Sequence, residues 1–224
     1  YAIIGRLVGS EMCIRDSHTY MQEFELLSIS HFLGFCICLA AIIFIPKAIQ
    51  AKPGLENFSK YFLVFLLVEN QIRSTYVETF IKGGKLLENL PLHLCDFSAI
   101  VIAVFLLTGF RPLFIFAYFW GIAGAGMSIL TPDSEFAFPH YEYFATMYGH
   151  SLILLAVVFS IVNLGQRPYL SDIPKLIFYS SILLVIMYGI NYILGANYWY
   201  LNERPYGDNI LSLMPEPPVH MFIL

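Results

Sequence analysis

Residues 28–46 have the sequence SISHFLGFCICLAAIIFIP, a run of 19 positions without a single Asp, Glu, Lys or Arg. A helix needs about 20 predominantly apolar residues to cross the hydrocarbon core of a bilayer. Further apolar runs of similar length follow at intervals along the rest of the chain. This pattern predicts membrane helices rather than the core of a soluble domain.

The composition of the whole chain agrees with that prediction. Of 224 residues, 58% are hydrophobic and 12% are charged, with a mean hydropathy of +0.69. A soluble domain carries about 25% charged residues, so a soluble form of this chain would expose large apolar patches. The net charge of −4 and the lack of a long basic run exclude a nucleic-acid partner. The four cysteines form no C-x-x-C pair, which excludes zinc-ribbon and thioredoxin-type sites.

We predict an all-α, polytopic transmembrane helix bundle with six complete spans and a truncated seventh. The complete spans are residues 28–46, 61–80, 92–109, 112–131, 142–163 and 174–195, and the truncated span is 217–224. Short loops that contain Gly and Pro separate the spans. Residues 18–224 are therefore expected to form one integral membrane domain whose partners are membrane lipids.

The first 17 residues are predicted to have a different origin from the rest of the chain. Residues 7–17, LVGSEMCIRDS, match one reading frame of a transposase adapter used in sequencing libraries. We therefore predict that residues 1–17 are an adapter-derived artefact and exclude them from the reasoning on the fold.

The distribution of basic residues predicts the orientation of the spans in a cell membrane. The loops after spans 1, 3 and 5 hold six Lys and Arg residues, whereas the loops after spans 2, 4 and 6 hold three. Cytoplasmic loops carry an excess of Lys and Arg. The N-terminus is therefore expected outside the cell.

Polar side chains inside the spans mark candidate functional residues, because they are costly in a membrane. Glu69 and Arg73 are four residues apart on one helix face and can form an ion pair, with either a structural or a functional role. His93, Cys95 and Asp96 open the third span. The remaining candidates are His140, His150, Asn191 and Asn197. With the predicted orientation, all of these residues lie toward the outer side and predict one polar pocket that opens there.

Several motifs, in order along the chain, resemble the bacterial YwaF-like integral membrane family, which has about seven spans. They are Pro91-Leu92-His93-Leu94-Cys95-Asp96, Tyr118-Phe119-Trp120-Gly121, Leu130-Thr131-Pro132-Asp133, Phe138-Pro139-His140, Gly149-His150 and Asn197-Tyr198-Trp199-Tyr200-Leu201. That family is distantly similar to the eukaryotic transmembrane protein 164 family, described as a membrane phospholipid acyltransferase that uses a cysteine and a histidine.

The resemblance implies that Cys95 is the acyl-accepting nucleophile and that His150 is its base, with His140 the less favoured choice. Arg73, Asn191 or Asn197 could donate hydrogen bonds to the oxyanion, and Glu69 or Asp96 could orient the histidine. The expected activity is that of a membrane lipid acyltransferase or lipid hydrolase without a cofactor.

Two alternatives stay open at the level of the sequence. In the first, His93, Asp96, His140 and His150 bind zinc in an intramembrane lipid hydrolase. In the second, the protein is a small-solute transporter or sensor whose polar pocket binds without reacting. No inverted repeat is obvious in the sequence, which counts against a transporter.

Overall fold

The computed structural model of the protein describes residues 23–203, and in this range the chain folds into six helices. They are α1 (Ile29–Gln50), α2 (Glu56–Tyr76), α3 (Leu94–Thr108), α4 (Arg111–Leu130), α5 (Tyr141–Val162) and α6 (Ile173–Leu194). A π-helical turn, Val77–Ile81, extends α2, and a second, Gly121–Ala125, lies within α4. In the described range β pairing is limited to an isolated bridge between Glu23 and Phe136. The predicted all-α class is therefore confirmed for residues 23–203.

The number of complete spans is smaller than predicted. Helices α1, α4, α5 and α6 are long and apolar enough to cross a membrane. Helix α3 has 15 residues, or about 22 Å at 1.5 Å per residue, which is shorter than a full span. Helix α2 is long enough, but it carries charged residues such as Glu69 and Arg73 and is not apolar enough to be counted with these four helices. The predicted truncated span, 217–224, and the adapter-like residues 1–17 lie outside the described residues.

Helix boundaries follow the local sequence closely, with two informative differences, at Pro46 and at the start of α2. The sequence predicts that the first span ends at this proline, but α1 continues to Gln50 with Pro46 buried inside it. Membrane helices tolerate an internal proline when neighbouring groups compensate for its missing N–H group. Hydropathy also misses the start of α2, because its first turn is polar and contains Glu56, which favours a helix N-terminus.

Helix α5 is the centre of the bundle and packs against α1, α2, α3 and α4. Small residues permit its closest contacts. Gly121 of α4 faces Ile153, and Gly149 of α5 faces Asn70 of α2. In α1 and α6, by contrast, only 11% of the residues in the most apolar 18-residue stretch of the helix are buried within the protein. Their exposed apolar side chains suit contact with lipid tails.

Contacts between remote residues show which helix ends meet. At one end, which we call the cavity end, Arg73 and Lys82 from the end of α2 bond to Tyr141 and Glu142 at the start of α5. At the opposite end, the Arg111 guanidinium binds the Asp172 carboxylate in a bidentate pair, with N–O distances of 3.0 and 2.7 Å.

Candidate functional site

A cavity of about 380 Å³ opens at the cavity end of the bundle. Its walls are the second half of α2, the first turn of α3, the first half of α5, and residues 133–135 of the loop between α4 and α5. Along α5 the lining runs from Tyr141 to Ile153, which corresponds to about 18 Å of helix. The wall is therefore charged near the helix ends and apolar at its inner limit.

Cys95 and His150 both line this cavity, from two different helices. Cys95 is the second residue of α3, and its side chain is partly buried against the apolar core. His150 lies about two and a half turns inside α5. The two residues are 55 positions apart in the chain, and the packing of α3 against α5 brings both of them to this cavity.

The hydrogen bond of His150 defines its tautomer. Its Nδ1 lies 2.7 Å from the carbonyl oxygen of Thr146, one turn earlier in α5. A carbonyl oxygen only accepts hydrogen bonds, so Nδ1 carries the proton in the neutral imidazole and Nε2 carries the lone pair. The orienting partner of His150 is thus a backbone carbonyl, and neither Glu69 nor Asp96 fills this role.

Asp96 also lines the cavity, but its carboxylate has a structural partner. Asp96 Oδ2 accepts a hydrogen bond of 3.0 Å from the backbone N–H of His93, the N-cap residue of α3. The Gln71 side chain is another hydrogen-bond partner of this carboxylate. These contacts stabilise the helix end that carries Cys95.

Arg73 reaches the cavity while three neighbours engage its guanidinium. Nε donates to Glu69 at 3.0 Å, and Nη2 and Nη1 donate to Asn70 and Tyr141 at 2.6 Å each. The predicted Glu69–Arg73 pair is thus present. The bond from Arg73 to Tyr141 connects α2 to the first residue of α5, and the bond to Glu69 engages that carboxylate within α2.

The charged part of the cavity near its opening contains residues that are not among the candidates predicted from the sequence. Lys82 pairs with Glu78 on its own helix and with Glu142 on α5. Burial is the largest single influence on the pKa of Lys82 and lowers it. The hydrogen bonds and charges of Glu142 and Glu78 together outweigh burial, so the pKa of Lys82 is raised. Asp133 and Glu135 contribute further negative charge from the loop. In the sequence, polar residues recur at nearly every helical turn from Asn70 to Lys82. This pattern could have indicated that this part of α2 faces a polar cavity.

Four predicted candidates lie away from the cavity lining. His140 caps α5, where Nδ1 accepts a hydrogen bond from the N–H of Glu142 at 3.3 Å, and its ring packs on Phe136. The His93 ring lies between Tyr198 and Tyr200, with centroid distances of 5.2 and 5.3 Å.

The two predicted asparagines stabilise the loop after α6. Asn191 exchanges two hydrogen bonds of 2.8 Å with the backbone of Tyr198. Asn197 binds backbone atoms of Asn202 and Glu203. Neither asparagine is placed to act as an oxyanion donor in the cavity.

The geometry also bears on the zinc alternative. Among residues 23–203, no group of three or more His, Cys, Asp or Glu side chains is arranged to hold a metal ion. Of the hypothetical ligand set, Asp96 and His150 line the cavity, whereas His93 packs against tyrosines and His140 packs against a phenylalanine.

Comparison with known proteins relates the chain to one family. The TMEM164 family model matches residues 18–224. An uncharacterised protein of Treponema pallidum (strain Nichols) is 29% identical over 172 residues, which are 74% of this chain and 68% of that protein. No solved structure gives a significant match. Because the family match extends over nearly the whole chain, the protein belongs to the TMEM164 family.

Proposed function

We propose that the protein is a membrane lipid acyltransferase in which Cys95 is the nucleophile and His150 the general base. One observation carries this proposal: a thiol and an imidazole line the same cavity from different helices, and the Nε2 lone pair of the imidazole is not used by the bond to Thr146. A thiol beside a base in a pocket is the minimal arrangement for covalent acyl transfer.

In the proposed first step, the Cys95 sulfur attacks the ester carbonyl of a donor lipid. The thiol proton passes to His150 Nε2, the carbon–sulfur bond forms, and the carbon–oxygen bond of the ester breaks. The leaving alkoxide takes the proton from the imidazolium, which releases a lysolipid and leaves an acyl thioester on Cys95.

In the second step, the hydroxyl group of an acceptor lipid attacks the thioester. Its proton passes to His150, the new ester bond forms, and the Cys95 thiolate leaves and is protonated by the imidazolium. When water replaces the acceptor, the product is a free fatty acid and the reaction is lipid hydrolysis. Both reactions need the same two side chains and no added cofactor.

The size and surroundings of the cavity support a lipid substrate. A volume of about 380 Å³ is near the lower limit for small-molecule pockets. It can take the ester and part of a headgroup, while the acyl chains stay in the lipid around the apolar helices. The resemblance to the transmembrane protein 164 family and to its bacterial YwaF-like relatives supports the same substrate class. We further propose that residues 18–224 form one membrane domain, with the cavity open to the outer side.

Trapping of the acyl-enzyme tests the proposal. The purified protein in lipid nanodiscs is incubated with a phospholipid that carries a radiolabelled acyl chain, and protein-bound label is measured before and after treatment with neutral hydroxylamine, which cleaves thioesters. We expect hydroxylamine-sensitive label in the wild type and none in Cys95→Ala. His150→Ala should form it about 10²–10⁴ times more slowly, which is the usual contribution of a general base.

Matched variants control for the loss of any cysteine or histidine. Cys36→Ala and Cys38→Ala change thiols on α1, outside the cavity lining, and His140→Asn keeps a capping side chain at the start of α5. All three should label like the wild type. Equal labelling of the wild type and Cys95→Ala would contradict the covalent mechanism.

A second function is favoured by the acidic side of the cavity. Asp133 and Glu135 have no ion pair with another described residue, and repulsion from Glu135 and Glu142 acts on Asp133. A cationic small solute would relieve this repulsion, as in a transporter or sensor with a non-reactive pocket. Saturable binding of an organic cation without any thioester on Cys95 would favour this second function.

A further inference from the structure

The loop after α6 contains three consecutive aromatic residues whose side chains all point at one other segment. Tyr198 is fully buried, and its hydroxyl donates to the carbonyl of Leu87 at 2.7 Å and accepts from the N–H of Leu90 at 3.0 Å. The Trp199 indole N–H donates to the carbonyl of Leu92 at 2.8 Å. The contacted segment, residues 87–93, leads directly into α3.

The backbone of this loop is held in an unfavourable conformation. Trp199 and Tyr200 have φ angles of 60° and 52°, in the left-handed region that residues with a bulky side chain rarely adopt. The two hydrogen bonds of the buried Asn191 side chain to Tyr198 fix the start of this conformation. Such backbone geometry persists only when surrounding contacts enforce it, and it occurs preferentially at functional sites.

The position of the Leu92 carbonyl gives this conformation a consequence for the cavity. Leu92 lies three residues before Cys95, in the non-helical segment before the first turn of α3. Backbone groups in such a segment lack helical partners and need other ones. The indole N–H of Trp199 supplies the partner at Leu92, and the indole ring also packs edge-on against Phe97 of the same helix end.

We infer that Trp199 is a positioning residue for Cys95: its indole N–H holds the peptide before α3, and so holds the Cys95 thiol in place relative to His150. The catalytic part of this inference depends on the proposed function. The structural part, that Trp199 restrains the position of the thiol, is independent of the proposed function.

The chain contains a matched control in its other tryptophan. Trp120 also donates an indole hydrogen bond, but to the Ser180 hydroxyl on α6 at 3.1 Å instead of to the segment before α3. Trp199→Phe and Trp120→Phe therefore remove the same chemical group and keep an aromatic ring. The Trp120 ring also packs edge-on against Phe97 and Trp199, and phenylalanine at position 120 keeps an aromatic ring for these contacts. The two variants therefore differ in whether the lost hydrogen bond is made to the segment before α3.

Both variants are made in a chain with Cys13, Cys36 and Cys38 replaced by serine, so that Cys95 is the remaining thiol. The rate of its alkylation by iodoacetamide is measured from pH 6 to pH 10 in nanodiscs, together with the thermal unfolding midpoint. We expect Trp199→Phe to raise the alkylation rate by about threefold or more, because a loosened turn exposes the thiol more often. Trp120→Phe should leave the rate within about twofold at a similar loss of thermal stability.

Thioester formation from the labelled phospholipid is then compared at saturating substrate. A displaced nucleophile reacts more slowly even when the lipid binds equally well, so Trp199→Phe should lower kcat by about tenfold with KM nearly unchanged. If Trp199→Phe does not fold, Tyr198→Phe, which removes the bonds to Leu87 and Leu90, replaces it with the same expectations.

The results separate this inference from the proposed function. Equal alkylation rates in Trp199→Phe and Trp120→Phe, or a change that only follows the thermal midpoint, would overturn the positioning role. A wild type that forms no thioester would refute the proposed function, while the alkylation comparison would still decide whether Trp199 restrains Cys95.

Discussion

At the scale of the residue, His140 and His150 show that the surroundings of a side chain determine what it can do. Both are histidines near the start of α5, and both are plausible bases from the sequence. In the structure His140 caps the helix through Nδ1, whereas His150 donates from Nδ1 to a carbonyl and lines the cavity. The two residues differ in which groups surround the ring, and of the two only His150 lines the cavity together with Cys95.

Asp133 provides a prediction about pH at the same scale. Burial, followed by the negative charges of Glu135 and Glu142, raises the pKa of Asp133 above its ordinary value of 3.8. A carboxyl group with a raised folded-state pKa binds more protons in the folded state than in the unfolded state. Its contribution therefore lowers the free energy of unfolding as the pH rises above 3.8 and through the folded-state pKa.

Replacing this carboxyl group should remove that penalty. We expect Asp133→Asn to unfold at a higher temperature than the wild type at pH 7 and at the same temperature below the unfolded-state pKa. Thermal unfolding in nanodiscs between pH 3 and pH 8 measures the difference. Glu25→Gln is the control, because Glu25 is a carboxyl group outside the cavity lining. A difference between wild type and Asp133→Asn that is independent of pH would contradict the explanation.

At the scale of the element, the contact between α2 and α5 depends on a glycine. A Cβ atom at Gly149 would lie 2.9 Å from Nδ2 and 3.3 Å from Oδ1 of Asn70. Asn70 cannot move freely, because its Oδ1 accepts a hydrogen bond from Arg73. The close approach of the two helices therefore requires a residue without a side chain at position 149.

Gly149→Ala should consequently force α2 and α5 apart. We expect a loss of about 1–3 kcal/mol in the free energy of unfolding, the usual cost of overpacking a core, measured by denaturant titration. Gly189→Ala is the matched control, since no atom lies within 4 Å of a Cβ at that position in α6. It should be neutral or stabilising by about 0.5–1 kcal/mol. Equal effects of the two substitutions would show that helix propensity, and not the contact with Asn70, sets the outcome.

At the scale of the whole molecule, the cavity end and the opposite end of the bundle carry different sets of charged residues. Cys95, His150 and the acidic residues lie at the cavity end, while Arg111 and Asp172 pair at the opposite end. The excess of Lys and Arg in the loops of the opposite end predicts that it faces the cytoplasm. A lipid substrate would then enter the cavity from the outer leaflet.

Cysteine labelling in intact cells tests this orientation. Lys85→Cys places a thiol in the exposed loop of the cavity end, and Lys52→Cys places one in the loop between α1 and α2 at the opposite end, each in a chain without its native cysteines. We expect a membrane-impermeant maleimide to label Lys85→Cys in intact cells and Lys52→Cys only after permeabilisation. The reverse pattern would place the cavity on the cytoplasmic side.

Much of the helical architecture is predictable from local sequence. The predicted span 142–163 and the helix Tyr141–Val162 differ by one residue at each end, and so do 174–195 and Ile173–Leu194. The differences at Pro46 and at the start of α2 occur where a proline or a polar first turn interrupts the hydropathy pattern. For the site, the sequence identifies Cys95, His150, Asp96 and Arg73, which all line the cavity. It does not separate them from His93, His140, Asn191 and Asn197, which have structural partners elsewhere.

The sequence by itself therefore determined that the protein is helical, apolar and built for a membrane, because a membrane helix satisfies its backbone hydrogen bonds within one continuous segment. Only the tertiary structure decided that Cys95 and His150 share a cavity, that Glu69 is engaged by Arg73, and that the aromatic loop after α6 restrains the start of α3. Those relations depend on contacts between residues far apart in the chain. Helix packing brings such residues together, and no local pattern of residue types records which of them will meet.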